Sequence, residues 1–318
     1  MIKHIFCIGG ANIDCKLKSS VNLTLSTSNP VSSTSSYGGV ARNVAQNLIH
    51  WTTNIHLQCV VGDDAHGRQM LEHIRRLGVN TEHCVVLADK KTSHYYAILN
   101  HDGELFVALA DMNIYDELTI VQFTPAWDSW HPQSLIFLDT NLPAELIGMV
   151  LKQAVTRNLL VCIDAVSVTK AQKLPYSLEQ IFLLKTDRLE ASILTHMAIN
   201  SIEDCLSAGR KLRRRGVMHA VITLGRLGYV VVNERCEEYI EVPQIDRVID
   251  TSGAGDAFIA GILLGLQHNE PILHACQLGA AAAAYTIQSI HTVAPDISKS
   301  HLYAYMKKHQ IRHETIDV

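Results

Sequence analysis

A chain of 318 residues with 47% hydrophobic content can bury one large core, or a core with a smaller unit appended. Its formal net charge of −4 offers no general attraction to nucleic acid, and the dense basic run Arg210-Lys211-Leu212-Arg213-Arg214-Arg215, closed by Gly216, reads as the solvated end of a helix. No run approaches the ~20 apolar residues of a membrane span and no basic leader precedes an apolar segment, so a cytoplasmic protein without a nucleic-acid or membrane partner is expected.

In chain order, His4–Gly9 reads as a short buried strand ending in a glycine turn. Further strands are predicted at Leu57–Val61, Leu135–Leu138, Leu159–Ile163, Ile181–Leu184 and Ala220–Thr223. These runs are continuously apolar rather than alternating, the pattern of strands covered on both faces. Helices are predicted between them at Ala41–His50, Gly67–Leu77, Ala144–Thr156, Arg188–His196 and Ile202–Arg215. Such alternation predicts an α/β fold with a mostly parallel sheet wrapped by helices. Two stretches break the rhythm. Lys16–Ser36 is rich in serine, threonine and asparagine, while Thr92–Asp111 carries two apolar runs around the turn Asn100-His101-Asp102-Gly103, a hairpin signal. The polar tail from Lys307 to Val318 is expected to fray.

The eight cysteines are scattered without a C-x-x-C pair and several sit in apolar runs, so they read as reduced, buried thiols. The seventeen histidines form no metal-ligand pattern, and no structural zinc is expected.

The most informative segment is Asp250-Thr251-Ser252-Gly253-Ala254-Gly255-Asp256, followed by an apolar stretch from Ala257 to Leu266. Small residues let the backbone bend so that the amides of Gly253, Ala254 and Gly255 converge at a helix start, where phosphate binds. Asp256 then sits in the first helical turn, placed to accept a proton from an attacking hydroxyl. A second segment, Tyr37-Gly38-Gly39-Val40-Ala41-Arg42-Asn43-Val44-Ala45, pairs glycines that admit a close ligand with Asn43 in a first helical turn. Asn12 and Asp14 follow the first strand, and a carboxylate there accepts two hydrogen bonds from a vicinal diol. A nicotinamide-binding reading fails on spacing, because Gly9-Gly10 lacks the G-x-G-x-x-G pattern.

These two segments resemble the signatures of the phosphofructokinase-B, or ribokinase-like, family of sugar and nucleoside kinases, and the resemblance spans nearly the whole chain. It implies a single ribokinase-like domain over residues 1–318, with a discontinuous β-sheet lid at about 15–37 and 91–112. It also implies ATP as phosphate donor, Mg2+, and a homodimer formed through the lid. Thr223-Leu224-Gly225-Arg226-Leu227-Gly228 resembles the family's T-x-G-x-x-G turn beside the phosphates, which marks Thr223, Gly225 and Gly228. Asp187-Arg188-Leu189-Glu190 matches the family's N-x-x-E with aspartate in place of asparagine. Glu190 would organise water around magnesium, whereas Asp187 keeps the acceptor but loses the amide donor and adds a charge that would repel nucleotide phosphate unless magnesium screens it. Backbone carbonyls at Asp250 and Ser252, with others after Tyr285, are the implied ligands of a monovalent cation such as K+.

Within the family, Gly10-Ala11-Asn12-Ile13-Asp14, Ala97-Ile98-Leu99, Ala110-Asp111-Met112 and Val166-Ser167-Val168-x-Lys170-Ala171 resemble the pseudouridine kinase branch. That implies phosphorylation of a nucleoside 5′-hydroxyl, with Tyr96, Asp111 and Met112 near the ribose or base. Adenosine, ribose and fructose kinases remain alternatives, as does a catalytically silent nucleoside-binding protein.

Overall fold

In the first strand, β1 (His4–Ile8), Ile5 and Cys7 pack into one hydrophobic cluster while Phe6 and Ile8 pack into another. The same division recurs at Leu135 and Phe137 against Ile136 and Leu138, so the apolar runs are strands with a core on each face. The computed structural model describes residues 1–309 and the backbone of 314–315.

The next strands are β2 (Asn12–Ser19), β3 (Val31–Gly38), β4 (Ile55–Gln58), β5 (Val60–Gly62), β6 (Val85–Leu87), β7 (His94–Leu99) and β8 (Leu105–Asp111). They are followed by β9 (Ser134–Asp139), β10 (Leu160–Asp164), β11 (Leu183–Asp187), β12 (His219–Thr223), β13 (Tyr229–Val232), β14 (Glu237–Ile240) and β15 (Glu314–Thr315). Nine of them form one sheet in the order β15-β14-β13-β12-β11-β10-β9-β1-β4. It is parallel from β4 to β12 and antiparallel from β12 to β15.

Helices α1 (Val40–Trp51), α2 (Ala65–Arg76), α3 (Ile120–Phe123), α4 (Ala144–Thr156), α5 (Val168–Ala171) and α6 (Arg188–Thr195) come first along the chain. Then come α7 (Ile202–Arg214), α8 (Ala254–Gln267), α9 (Ile272–Thr286) and α10 (Lys299–His309). The core on one face of the large sheet draws on α1, α2, α8, α9 and α10, and the other draws on α4, α6 and α7. Among the described residues no helix is long and apolar enough to cross a membrane.

A second sheet has the order β3-β2-β7-β8 and contains the hairpin expected around Asn100–Gly103, where the Gly103 amide donates to the Asn100 carbonyl at 2.9 Å. Three sequence expectations change. The run Leu57–Val61 is two strands, because β4 lies beside β1 while β5 pairs with β6 in a separate ribbon. The strand expected at Ile181–Leu184 instead starts at Leu183 and runs on through Lys185 to Asp187. The tail is helical through His309 and pairs with β14 at Glu314–Thr315, and the rest of that expectation lies outside the described residues.

Candidate functional site

The C-terminal ends of the parallel strands carry charge. Asp139 closes β9 with its side chain fully buried. Its Oδ2 accepts from the Gly10 amide (2.7 Å) and the Ala41 amide (2.9 Å), and its Oδ1 from the Asn141 amide (2.8 Å). One carboxylate thus joins the turn after β1, the start of α1 and the end of β9. Tyr115, from a short 3-10 segment, fixes the same turn by donating to Ala11 O (3.0 Å) and accepting from the Ala11 amide (2.6 Å).

Beside this hub, Asn12 and Asp14 begin β2, and Asn12 Nδ2 donates to Asp14 Oδ1 at 2.6 Å. Burial raises the Asp14 carboxyl, opposed by the Asn12 hydrogen bond and the charges of Arg42 and Lys16. Gly39 takes φ +94° as it turns into α1, and a Cβ there would lie 2.5 Å from the Ala11 Cα, so glycine is what lets the two segments touch. Asn43, one turn into α1, is buried and donates from Nδ2 to Asp256 Oδ2 at 2.6 Å. Its Oδ1 accepts from the buried guanidinium of Arg42, which also holds Tyr37 O at 2.9 Å. Burial pushes Arg42 down to about 10, against the favourable charges of Asp14 and Asp256.

Asp256 lies in the first turn of α8. Gly253, the N-cap, has φ +77°, and a Cβ there would strike Thr292 O at 2.0 Å, so the bend into the helix requires glycine. The Ala254 amide turns back onto Thr251 O (3.2 Å), while the amides of Gly255 and Asp256 fall in the first turn, where no intrahelical acceptor exists. The Asp256 carboxyl is raised to about 7 by burial and by Asp164 and Asp139, with Asn43 and Lys185 acting in the opposite direction.

Asp164 is the part that the apolar-run reading of the strands passed over. Lys185 on β11 is buried and donates to Asp164 Oδ2, at the end of β10, at 2.9 Å. Burial opposes its charge, yet Asp164, Glu190 and Asp256 around it raise its pKa above the ordinary lysine value. A Cβ on Gly255 would lie 3.1 Å from the Lys185 ammonium, which places this cation directly under the glycine turn. Glu190 is also buried and raised to about 7, by burial first and then by Asp164. Asp187 and Glu190 form a capping box on α6: Asp187 Oδ1 accepts from the Glu190 amide and Glu190 Oε2 from the Asp187 amide, both at 2.7 Å.

On the other side of the glycine turn is an apolar cavity of about 470 Å³. Thr223, Gly225 and Gly228 of the β12–β13 turn form one wall, with Val242, Phe258 and Ala280 among the apolar ones. Thr251 lines this cavity while its neighbours Asp250 and Ser252 touch Lys16 of the small sheet, and the Asp250 amide bonds Ile287 O (3.3 Å) just beyond Tyr285.

The strand register divides the residues of the small sheet between two faces. Asp14 pairs with Tyr95 and Cys15 with Tyr96, while Tyr96 pairs with Leu109 and His94 with Asp111. Tyr95 therefore shares the face of Asp14, whereas Tyr96 and Asp111 lie on the opposite face, with Tyr96 stacked on His94 at 5.6 Å. This corrects the expectation that Tyr96 and Asp111 lie near the acceptor. Met112 Sδ lies 3.5 Å from Lys170 Nζ, whose ammonium also donates to Asn141 Oδ1.

A family model for the pfkB family of carbohydrate kinases matches residues 2–299. This chain belongs to that family. The kinase is 30% identical to pseudouridine kinase of Escherichia coli K12 over 295 residues, covering 93% of this chain and 94% of the relative. It is 25% identical to guanosine-inosine kinase of Exiguobacterium acetylicum, covering 91% of this chain and 95% of that one. Its fold matches the structure of Arabidopsis thaliana ribokinase complexed with ribose and ATP, with a TM-score of 0.82, 18% identity and coverage of 96% of this chain and 99% of that chain. The kinase therefore has the ribokinase-like fold, is a phosphotransferase with an alcohol acceptor, and belongs to a group that works on sugars or nucleosides with ATP.

Proposed function

We propose that this kinase transfers the γ-phosphoryl group of ATP to the 5′-hydroxyl of pseudouridine. The observation that carries the reading is the Asn43–Asp256 hydrogen bond, which joins the acceptor signature to the phosphate-loop signature within one cleft. Similarity to pseudouridine kinase over nearly both full lengths favours that nucleoside. Similarity to guanosine-inosine kinase supports purine nucleosides as the second reading.

In this scheme Asp14, with Asn12 beside it, takes the ribose diol, and Gly39 leaves room for the sugar against the backbone. Asp256 accepts the proton of the 5′-hydroxyl as the oxygen attacks phosphorus in line, and Asn43 holds that carboxylate in place. The amides of the Gly253-Ala254-Gly255 turn, with the Ala254 amide released from Thr251, stabilise charge on the transferring group. The apolar cavity takes the adenine ring, with Thr223, Gly225 and Gly228 alongside the phosphates. The small sheet acts as the lid over about 15–37 and 91–112 and excludes water during transfer.

Among the described residues no three His, Cys, Asp or Glu side chains are grouped to cage a metal. Magnesium held through water and phosphate oxygens fits instead, since Glu190, Asp164 and Asp256 crowd around Lys185 and burial raises both Glu190 and Asp256. Bound there, with Glu190 ordering its water and Asp187 acting through Glu190, magnesium would neutralise phosphate charge. Carbonyls of Asp250 and Ser252 are proposed to hold K+. The outer face of the small sheet, which exposes Val107 and Leu109, is proposed to join two copies of the chain.

The test is a substrate panel of pseudouridine, adenosine, inosine, ribose and fructose with magnesium-ATP, read by product phosphate. Pseudouridine should show the highest kcat/KM and yield the 5′-phosphate. A higher value for another acceptor reassigns the substrate, and no transfer to any of them favours the silent binding protein.

A further inference from the structure

Strand β2 carries the proposed acceptor-binding carboxylate, Asp14, and two residues later Lys16, which strand periodicity places on the same, cleft-facing side of the small sheet. Lys16 spans the cleft: its ammonium forms an ion pair with Asp250 and donates to Ser252 Oγ at 3.3 Å. Asp250 in turn accepts from the Ser252 amide at 2.9 Å, and Ser252 directly precedes the Gly253 bend that aims the helix amides. A continuous chain of contacts therefore runs from the acceptor side to the phosphate loop. Both side chains of the pair are partly exposed, at 35% and 27%. Such a pair adds little to overall stability, so its consequence lies in what it connects.

We infer that Lys16 is a positioning residue that couples the two substrate sites, so that an acceptor held by Asp14 fixes β2 and, through Lys16 and Asp250, sets the phosphate loop for the donor. This rests on the proposed acceptor role of Asp14 and adds to it a mutual dependence of the two bound substrates. Linkage makes the effect reciprocal, so donor binding tightens the acceptor by the same factor.

Calorimetric titration of the full chain with a non-hydrolysable ATP analogue and magnesium, with and without saturating pseudouridine, adenosine or ribose, tests this. The wild type should bind the analogue about fivefold or more tightly when an acceptor is present. Lys16→Met should bring that ratio close to one while the thermal midpoint stays near wild type. Asp250→Asn, which keeps an acceptor for the Ser252 amide, should do the same. The double variant should lose no more than either single one, and Lys16→Arg should retain most of the ratio. A wild-type ratio in Lys16→Met, or a ratio of one in the wild type with every acceptor, overturns the inference. Coupling seen with adenosine or ribose but not with pseudouridine supports the Lys16 device and rejects only the pseudouridine assignment.

Discussion

Asp256 and Asn43 stand 213 residues apart in the chain yet share a 2.6 Å hydrogen bond, and the chemistry of the proposed reaction depends on the charge state of that carboxyl. Burial together with Asp164 and Asp139 favours its neutral form, which places its titration at about 7. A base must be ionised, so its working form is present above that pH and is lost as pH falls through it. The kcat/KM profile, which reports the free enzyme, should therefore fall on its acid limb near pH 7. Glu190, also raised to about 7, titrates in the same window and should steepen the limb. Lys185→Met removes the cation that favours both carboxylates, so the limb should move up by about one unit. A profile flat from about pH 5.5 to 8 would contradict this. The motif residues of the cleft were legible because small residues and carboxylates sit together in short segments. Asp164 and Asp139 were not, since each ends an apolar strand and shows its purpose only beside its neighbour.

At the scale of elements, apolar runs locate strands well but end at the first charge. For that reason β11 was expected to stop at Leu184, although the buried pair with Asp164 carries the strand on through Lys185. The split of Leu57–Val61 was hidden for a related reason: continuous hydrophobicity does not reveal that the chain leaves one sheet at Cys59 and joins another. Helix limits were closer, and Ala144–Thr156 agrees at both ends, because caps and periodicity act locally. The capping box on α6 gives Asp187 a local task. Asp187→Asn should leave stability nearly unchanged, whereas Asp187→Ala should cost about 1 kcal/mol in denaturant unfolding. With its side chain turned back to the Glu190 amide, Asp187→Asn should alter the KM for ATP by less than about twofold across a magnesium titration, little enough to leave no sign of charge repulsion. A clear fall in KM at low magnesium would place that charge against the triphosphate.

For the molecule as a whole, the cleft lies between a nine-stranded sheet and a four-stranded one, and the small sheet has two unlike faces. One face carries Asn12, Asp14 and Lys16. The other carries Leu17, Ile98, Val107 and Leu109, of which Val107 is 37% and Leu109 54% exposed. An open apolar sheet face of this kind favours self-association. Light scattering should give a dimer mass for the wild type and a monomer mass for the doubly substituted Val107→Lys, Leu109→Lys chain. A monomeric wild type would remove the dimer from the account. The family and the general fold were legible in the sequence because the two signatures and the strand–helix alternation span most of the chain. Which residues of the small sheet face the cleft was not, since that depends on strand register. The central claim is that Asp256 is the base for phosphoryl transfer, and single-turnover transfer by Asp256→Asn, with pseudouridine and magnesium-ATP both saturating, tests it most directly. The account expects a rate about 10²–10⁴-fold below wild type with ATP affinity nearly unchanged, and a folded variant that transfers phosphate at close to the wild-type rate would contradict it.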